Sequence, residues 1–219
     1  MSFSITEENY IKAIFHLQQE DDTVSTNDLA AALDTRPASV TDMLKKLKTK
    51  KLLSYEKYKG VRLSSEGKKL ALAIVRKHRL WEYFLVNTLQ FGWDEVHEVA
   101  EELEHITSKK LVDKLDAFLG HPKFDPHGDP IPDSHGRMQQ QPQVNLIDLP
   151  LNTFAEVSAV GSQSSELLEL LRHKHIGIGT KLEVKKKFGF DHSIEIRIKG
   201  QQPLTISQQL AQALFVKLI

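Results

Sequence analysis

The 219-residue chain is long enough for one large domain or for two to three small ones, with 40% hydrophobic and 26% charged residues. It has no cysteine, which excludes disulfides, thiolate zinc sites and a cysteine nucleophile. The formal net charge is zero, so no global electrostatic field attracts nucleic acid. The first residues lack the features of a signal peptide, and the longest aliphatic stretch, 70–75, is too short to span a bilayer. We therefore expect a cytoplasmic protein with no membrane partner.

Three short helices and a hairpin are predicted at the start of the chain. A Ser-x-x-Glu capping box at 4–7 precedes a first amphipathic helix, and a serine or threonine at 25–26 can cap a second. Pro37 favours the first turn of a third helix. Two short strands are predicted at 52–58 and 61–63. This order is typical of a winged helix-turn-helix, whose second motif helix enters the major groove of DNA.

The third helix and the hairpin are strongly basic, because residues 36–62 contain nine Lys or Arg against two acids. Small hydroxyl side chains can approach base edges, and basic side chains can reach phosphates. The residues that we expect at DNA are Arg36, Pro37, Ser39, Thr41, Asp42, Lys45, Lys46, Tyr58, Lys59 and Arg62. Asp42 could accept a hydrogen bond from cytosine or simply weaken phosphate binding. The alternative for the whole face is a basic, solvated helix without a nucleic-acid function.

A long helix is predicted from residue 64 or 65 to about residue 89, followed by an acidic helix from about 93 to 119. Residues 94–105 contain six carboxylates, two imidazoles and no Lys or Arg. Carboxylates one helical turn apart repel each other and weaken a helix, whereas a bridging divalent cation would stabilise it. Oxygen and imidazole ligands without sulfur suit Mn, Fe(II), Co or Zn. The acidic helix therefore predicts a divalent metal site.

On a helix, residues 97, 101, 104 and 105 share one face, because they are offset by four, seven and eight residues. His78 and Glu82 are an i, i+4 pair on the long helix, and they could form one site with His97 if the two helices pack side by side. Glu101, Glu104 and His105 could form a second site. The alternative is a regulator that responds to a non-metal signal, with a purely structural acidic helix. A zinc hydrolase is disfavoured because a glutamate occupies the position of the second histidine in the zinc-peptidase motif. No Gly-rich phosphate loop or GxSxG elbow is present, so we expect no enzyme.

The last part of the chain changes in character. Residues 120–143 are rich in proline and glycine and predict a linker that is partly ordered. Segments 153–160, 181–188 and 193–199 alternate apolar and polar residues, which predicts strands. One short helix is predicted at 164–174. Short strands with a single helix favour a small SH3-like barrel.

Several motifs, in this order, resemble the diphtheria-toxin-repressor family of metal-dependent transcriptional repressors. The chain is most similar to the manganese-transport-regulator branch that has a C-terminal SH3-like domain. The motifs are Arg36-Pro-Ala-Ser-Val-Thr-Asp-Met, Tyr55-Glu-Lys-Tyr-Lys-Gly, Arg76-Lys-His-Arg-Leu-Trp-Glu82, Val96-His-Glu-x-x-Glu-x-Leu-Glu-His105 and Pro126-His-Gly-Asp-Pro-Ile-Pro132. They correspond to the recognition helix, the wing, the two metal-binding segments and the linker of that family. The resemblance covers nearly the whole chain.

Pattern and resemblance together predict a mainly α protein with a small β domain. We expect a winged helix-turn-helix at 1–63, a helical metal-binding and dimerisation domain with a Pro-rich linker at 64–143, and an SH3-like β-barrel at 144–219. The resemblance implies a homodimer that represses transcription and controls metal-ion homeostasis. It would bind a palindromic operator in double-stranded DNA when it is loaded with Mn(II) or Fe(II).

The resemblance also implies further ligands. Asn9 from the first helix would join the Glu101 group, and Gln163 and Glu166 from the SH3-like domain would join the other group. The iron branch has a cysteine where Glu101 stands, so the harder carboxylate favours Mn(II), with Fe(II) as the alternative. The manganese branch often has acids at the positions of Asn9 and Lys12, and a charged lysine cannot be a ligand. Without metal, we expect the acidic charges to repel and the first helix to be held loosely.

Overall fold

A computed structural model describes residues 3–18, 23–56 and 60–219, without the side chains of residues 55 and 56. The predicted wing residues Tyr58 and Lys59 lie outside these described residues. The chain divides into two compact units, which we call unit 1 and unit 2. Unit 1 comprises Met1–His78, Glu102–Lys114 and Pro132–Arg137, and unit 2 comprises Arg79–Glu101, Leu115–Ile131 and Met138–Ile219.

Unit 1 contains the predicted helix-turn-helix and hairpin. Its first elements are α1 (Ile5–Leu17), α2 (Thr26–Ala32), α3 (Pro37–Thr49), β1 (Leu53–Glu56) and β2 (Gly60–Leu63). Val40, Leu44 and Leu47 bury the apolar face of α3, as their spacing predicts. Gly60 has a φ of 129°, and an added Cβ would lie 2.4 Å from the carbonyl oxygen of Val24. A glycine is therefore required where the hairpin packs closely on the preceding segment.

The middle of the chain forms three helices that contribute residues to both units. They are α4 (Ser65–Asn87), α5 (Val96–Leu103) and α6 (Lys109–Phe118). The prediction of one acidic helix over residues 93–119 is wrong, because Ser108 accepts a hydrogen bond from the Leu111 N–H and begins a new helix. Glu104 and His105 therefore lie in the turn after α5 and do not continue the helical face of His97. No described helix is both long and apolar enough to cross a membrane.

Unit 2 contains the predicted small β domain. Its strands are β3 (Val144–Asn145), β4 (Phe154–Val160), β5 (Lys181–Lys187), β6 (Ile194–Ile198), β7 (Leu204–Ile206) and β8 (Leu214–Leu218). They pair antiparallel in the order β3-β8-β4-β5-β6-β7. The helices α7 (Ser165–His173) and α8 (Gln208–Gln212) accompany this sheet. Alternating side chains of the strands, such as Val184 and Ile196, are buried in an apolar core.

The Pro-rich segment is ordered around Asp125. The Oδ1 atom of this residue accepts hydrogen bonds from the backbone N–H groups of His127 and Asp129 at 2.8 and 2.9 Å. Gly128 has a φ of 90°, and an added Cβ would lie 2.0 Å from the carbonyl oxygen of Ser158 in β4. This close approach fixes the segment on the sheet of unit 2.

Glu7 joins α1 to the end of α3 within unit 1. Its side chain is only 2% exposed, and Oε1 lies 2.6 Å from Lys50 Nζ and 3.1 Å from Lys46 Nζ. Burial alone would raise the pKa of Glu7, but Lys50, the Ser4 N–H and Lys46 together lower it to about 2. Lys46, which the sequence places at DNA phosphates, therefore also has a partner inside the protein.

We predict that Glu7→Gln reduces the free energy of unfolding at pH 7 by about 1–3 kcal/mol, because it removes a buried charge from two lysines. A carboxyl whose pKa is lower in the folded protein stabilises it above the unfolded value of 4.5. This contribution is lost as the pH falls from 4.5 to about 2. Denaturant titrations at pH 7 and pH 3 should therefore show a difference between variant and wild type that shrinks at pH 3.

The matched control is Glu66→Gln, which removes an exposed pair with Lys69 on α4. We expect it to change the free energy of unfolding by less than about 1 kcal/mol. A Glu7→Gln effect that is no larger than this control, or that grows at pH 3, would contradict the assignment.

Candidate metal centres and nucleic-acid interface

Glu104 lies at the centre of a buried charge cluster in unit 1. Its side chain is 0% exposed, Oε2 lies 2.7 Å from His78 Nδ1, and each carboxylate oxygen lies 2.8 Å from Lys12 Nζ. Burial alone would raise the pKa of Glu104, but His78 and Lys12 outweigh burial and lower it. Glu104 is therefore an anionic carboxylate in a site with little water, which is the character of a strong metal ligand.

A second contact joins α1 to the same turn of unit 1. His105 Nδ1 lies 2.7 Å from Glu8 Oε2, so Glu8 faces the turn in place of the predicted Asn9. Asn9 is half-buried and makes no hydrogen bond or ion pair to Glu104 or His105 within the described part of the chain. Together with the pair between Lys12 and Glu104, this contact attaches α1 to the turn. The expectation that the first helix is held loosely without metal stays a prediction.

In unit 2 the structure brings Glu82 and His97 together, as the sequence suggests. Glu82 is fully buried, and its Oε1 lies 3.3 Å from His97 Nδ1. His97 Nε2 lies 3.5 Å from Glu101 Oε1, so Glu101 lies beside a member of the first predicted group of ligands. His78 precedes Glu82 by one turn of α4, and its Nδ1 is engaged by Glu104 of unit 1.

Two further ligand candidates, Asp125 and His127, were not identified from the sequence. Donor atoms of Glu82, Asp125 and His127 all lie within 4.8 Å of one another in unit 2. The Nε2–H of His127 donates to the Trp93 carbonyl at 2.7 Å, and the two rings stack with centroids 5.9 Å apart. His127 Nδ1 is buried without a hydrogen bond in the described residues and faces Glu82 Oε2 at 3.7 Å. The available signal was an aspartate immediately before the linker motif and a histidine two residues later, at the start of the motif.

The electrostatics of this unit 2 group also fit a cation. Burial raises the pKa of Asp125, and the charges of Glu82 and Asp129 raise it further, whereas Arg79 and His127 lower it. The result is a pKa of about 7. Burial alone would lower the pKa of His127, but Glu82 and Asp125 raise it. The buried carboxylates of Glu82 and Asp125 therefore disfavour each other's charge in this group. A divalent ion would offset this repulsion, and an imidazole with carboxylates is a ligand set that Mn(II) and Fe(II) accept.

The predicted ligands from the SH3-like domain are not brought to these groups. Gln163 Nε2 donates to Asp129 Oδ2 at 3.0 Å, which places it beside the Pro-rich segment. Glu166 is exposed in the first turn of α7. Neither side chain is hydrogen-bonded to Glu82 or His97 in the described parts of unit 2.

The helix α3 presents the predicted DNA-facing residues to solvent. Its exposed residues include Arg36 at the N-cap and Pro37, Ser39, Thr41, Asp42, Lys45 and Lys46. The Thr41 hydroxyl donates to the Pro37 carbonyl at 2.9 Å, so Thr41 could contact a base only as an acceptor or through its methyl group. Asp42 pairs with Lys45 at 3.1 Å, and both side chains are exposed. Arg62 is half-buried in β2.

Comparison with known protein families finds a match for each part of the chain. Residues 2–61 match the iron dependent repressor N-terminal DNA binding domain. Residues 64–133 match the iron dependent repressor metal binding and dimerisation domain, and residues 144–218 match the FeoA domain. The three matches follow the order of the elements described above.

Comparison with individual proteins agrees with these matches. The iron-dependent repressor IdeR of Mycobacterium tuberculosis is 28% identical over 222 residues, which cover 97% of this chain and 96% of that protein. The regulator MntR of Bacillus subtilis is 36% identical over 108 residues, which cover 49% of this chain and 75% of that protein.

Solved structures show the same similarity in three dimensions. A manganese-dependent transcriptional repressor in complex with manganese is 32% identical, with a TM-score of 0.86 over 97% of this chain and 100% of that one. The manganese regulator SloR is 31% identical, with a TM-score of 0.76 over 97% and 98% of the two chains. This chain therefore belongs to the diphtheria-toxin-repressor family of metal-dependent transcriptional repressors.

Proposed function

We propose that this protein is a metal-dependent transcriptional repressor that controls metal-ion homeostasis. It binds a palindromic operator in double-stranded DNA as a homodimer when it is loaded with Mn(II), with Fe(II) as the alternative metal. One observation carries this proposal: buried carboxylate and imidazole groups converge in the region similar to a metal-binding domain, and this region follows a helix-turn-helix with an exposed basic helix. The relatives named above include an iron-dependent repressor and a manganese-dependent transcriptional repressor, which supports the same function.

We assign the metal ligands separately in each unit. In unit 1 they are Glu8, Glu104 and His105, with His78 next to them, and in unit 2 they are Glu82, Asp125 and His127, with His97 next to Glu82. These ligands offer oxygen and nitrogen and no sulfur, which supports Mn(II) as the preferred ion. When bound, the ion supplies positive charge to carboxylates that are buried from water.

The first helix can couple the unit 1 ligands to DNA binding. Consecutive residues of α1 face two directions, because Glu7 contacts Lys46 and Lys50 of α3 while Glu8 contacts His105. A movement of α1 toward its ligands therefore also moves the recognition helix. A metal ion favours the DNA-binding arrangement only by its difference in affinity for the two arrangements. A 100-fold difference in affinity supplies about 2.7 kcal/mol.

Exposed apolar side chains of unit 2 support dimer formation. Phe118, at the end of α6, is 70% exposed, and its ring contacts Phe84 of α4 with centroids 6.4 Å apart. Leu89 and Phe91 are also exposed. Large apolar side chains in contact with water are typical of protein interfaces, so we propose that this surface meets a second copy of the chain.

We predict that Glu104→Gln abolishes most metal-dependent DNA binding. The substitution keeps the size of the side chain but removes its charge and one of its two acceptor oxygens. We therefore expect Mn(II) to increase operator affinity by about 10-fold or less, against about 100-fold for the wild type. Fluorescence anisotropy with labelled operator and increasing Mn(II) or Fe(II), under anaerobic conditions, measures this. The control is Glu102→Gln, an exposed neighbour. Equal metal dependence of Glu104→Gln and wild type would contradict the proposal and favour a non-metal signal.

We predict that Asp125→Asn weakens Mn(II) binding by about tenfold or more but raises the melting temperature of the metal-free protein at pH 8. Asparagine keeps the acceptor for the two backbone N–H groups while a buried negative charge disappears. The control is Asp133→Asn, because Asp133 makes the same turn, with hydrogen bonds from the His135 and Arg137 N–H groups, at a position that is only half-buried. Calorimetry and thermal unfolding of both variants test this, and unchanged Mn(II) affinity in Asp125→Asn would refute the ligand assignment.

We predict that Lys45→Ala and Ser39→Ala have different effects on DNA binding. Lys45 can contact a phosphate, so its loss should weaken binding to operator and unrelated DNA equally and reduce the salt slope by about one. Ser39 can contact a base edge, so its loss should change the preference among operator sequences. Lys46 is less suitable for this comparison because it also binds Glu7. A sequence-independent loss in Ser39→Ala would contradict base contact.

A further inference from the structure

Lys12 places a positive charge at the carboxylate that we assign to the unit 1 metal site. Its Nζ lies 2.8 Å from both oxygens of Glu104, whose side chain is fully buried, while the Lys12 side chain is 13% exposed. His78 contacts one of these oxygens at 2.7 Å. Both faces of the carboxylate that a metal ion would use are therefore occupied by groups of the chain itself.

We propose that Lys12 is an internal competitor of the metal ion for Glu104. In the metal-free protein its ammonium group neutralises Glu104, and the incoming divalent ion has to displace it. Lys12 thus raises the metal concentration at which the unit 1 site is filled. This inference rests on the proposed function only in taking Glu104 as a metal ligand.

Electrostatics makes the two cations mutually exclusive. A divalent ion bonded to either oxygen of Glu104 would lie within a few ångströms of an ammonium group that contacts both oxygens. Like charges at that distance repel strongly in a buried site, where water screens them little. The ammonium group has a path of withdrawal, because Lys12 is still partly exposed and a lysine can keep its stem packed while its charge moves into water.

The ion pair between Lys12 and Glu104 also stabilises the protein when no metal is bound. A buried carboxylate without a cation is strongly destabilising, so a chain that relied on metal alone would lose the contact between α1 and the Glu104 turn whenever metal is scarce. Lys12 supplies the missing charge from α1 itself. The chain thereby exchanges one cation for another, and metal availability decides which cation holds Glu104.

The experiment is isothermal titration of Mn(II) into the full chain of wild type, Lys12→Gln and Lys12→Arg. The heat of Mn(II) binding that is present in the wild type and absent in Glu104→Gln is assigned to the unit 1 site. We expect Lys12→Gln to bind Mn(II) at this site at least about tenfold more tightly and to have a lower melting temperature without metal. Lys12→Arg keeps the charge, and its guanidinium group can bind both carboxylate oxygens, so this variant should bind Mn(II) no more tightly than the wild type.

The control is Lys69→Gln, which removes an exposed lysine that also contacts a glutamate at 2.8 Å, and it should change neither property. If Glu104→Gln removes a Mn(II) site but Lys12→Gln binds no more tightly than wild type, the inference on Lys12 is wrong and the metal site stands. If Glu104→Gln removes no Mn(II) binding, both are wrong. If Lys12→Gln unfolds without metal, saturating Mn(II) must restore the wild-type circular dichroism spectrum, and a chain that stays unfolded overturns the inference.

Discussion

The burial of Glu82 and Glu104 is the constraint on which the rest of the structure depends. Both side chains are fully excluded from water, and an uncompensated buried carboxylate costs several kcal/mol. In unit 1, Lys12 and His78 compensate Glu104, and in unit 2 the imidazoles of His97 and His127 face Glu82. Each unit has therefore brought basic or imidazole groups from distant parts of the chain to a carboxylate of the helical region.

The helix α1 links two functions through neighbouring residues. On a helix, consecutive side chains point about 100° apart, so one turn can face two partners. Glu7 faces the lysines of α3 and Glu8 faces His105, and both carboxylates are largely buried. Ion pairs that are shielded from solvent hold their geometry better than surface pairs. A change at the ligand turn can therefore reach the recognition helix through a single turn of α1.

Local patterns in the sequence predicted most elements but not every ligand. The apolar periods of α3 and β6 depend on neighbours in the chain, and the structure has them as predicted. His97 and Glu101, four residues apart, lie side by side although the prediction placed them in different groups. The break before α6 was missed because apolar periodicity continues across it while the Ser108 cap acts locally. Asp125 was missed for a different reason, since its burial depends on packing against a sheet that is distant in sequence. No local pattern carries that information.

The composition of the Glu104 cluster argues against a purely structural acidic segment. Well-packed apolar residues often stabilise a fold as much as a buried ion pair or more, so stability alone does not require one. Unit 1 nevertheless brings Glu8, Lys12, His78, Glu104 and His105 to one turn. A segment with a purely structural role needs only one well-packed contact at this turn. A metal site needs several carboxylate and imidazole ligands, and it also needs a positively charged side chain to neutralise them when no metal is bound. The cluster has these groups, and two of them, Glu8 and Lys12, lie on α1, the helix that also contacts the exposed basic helix α3.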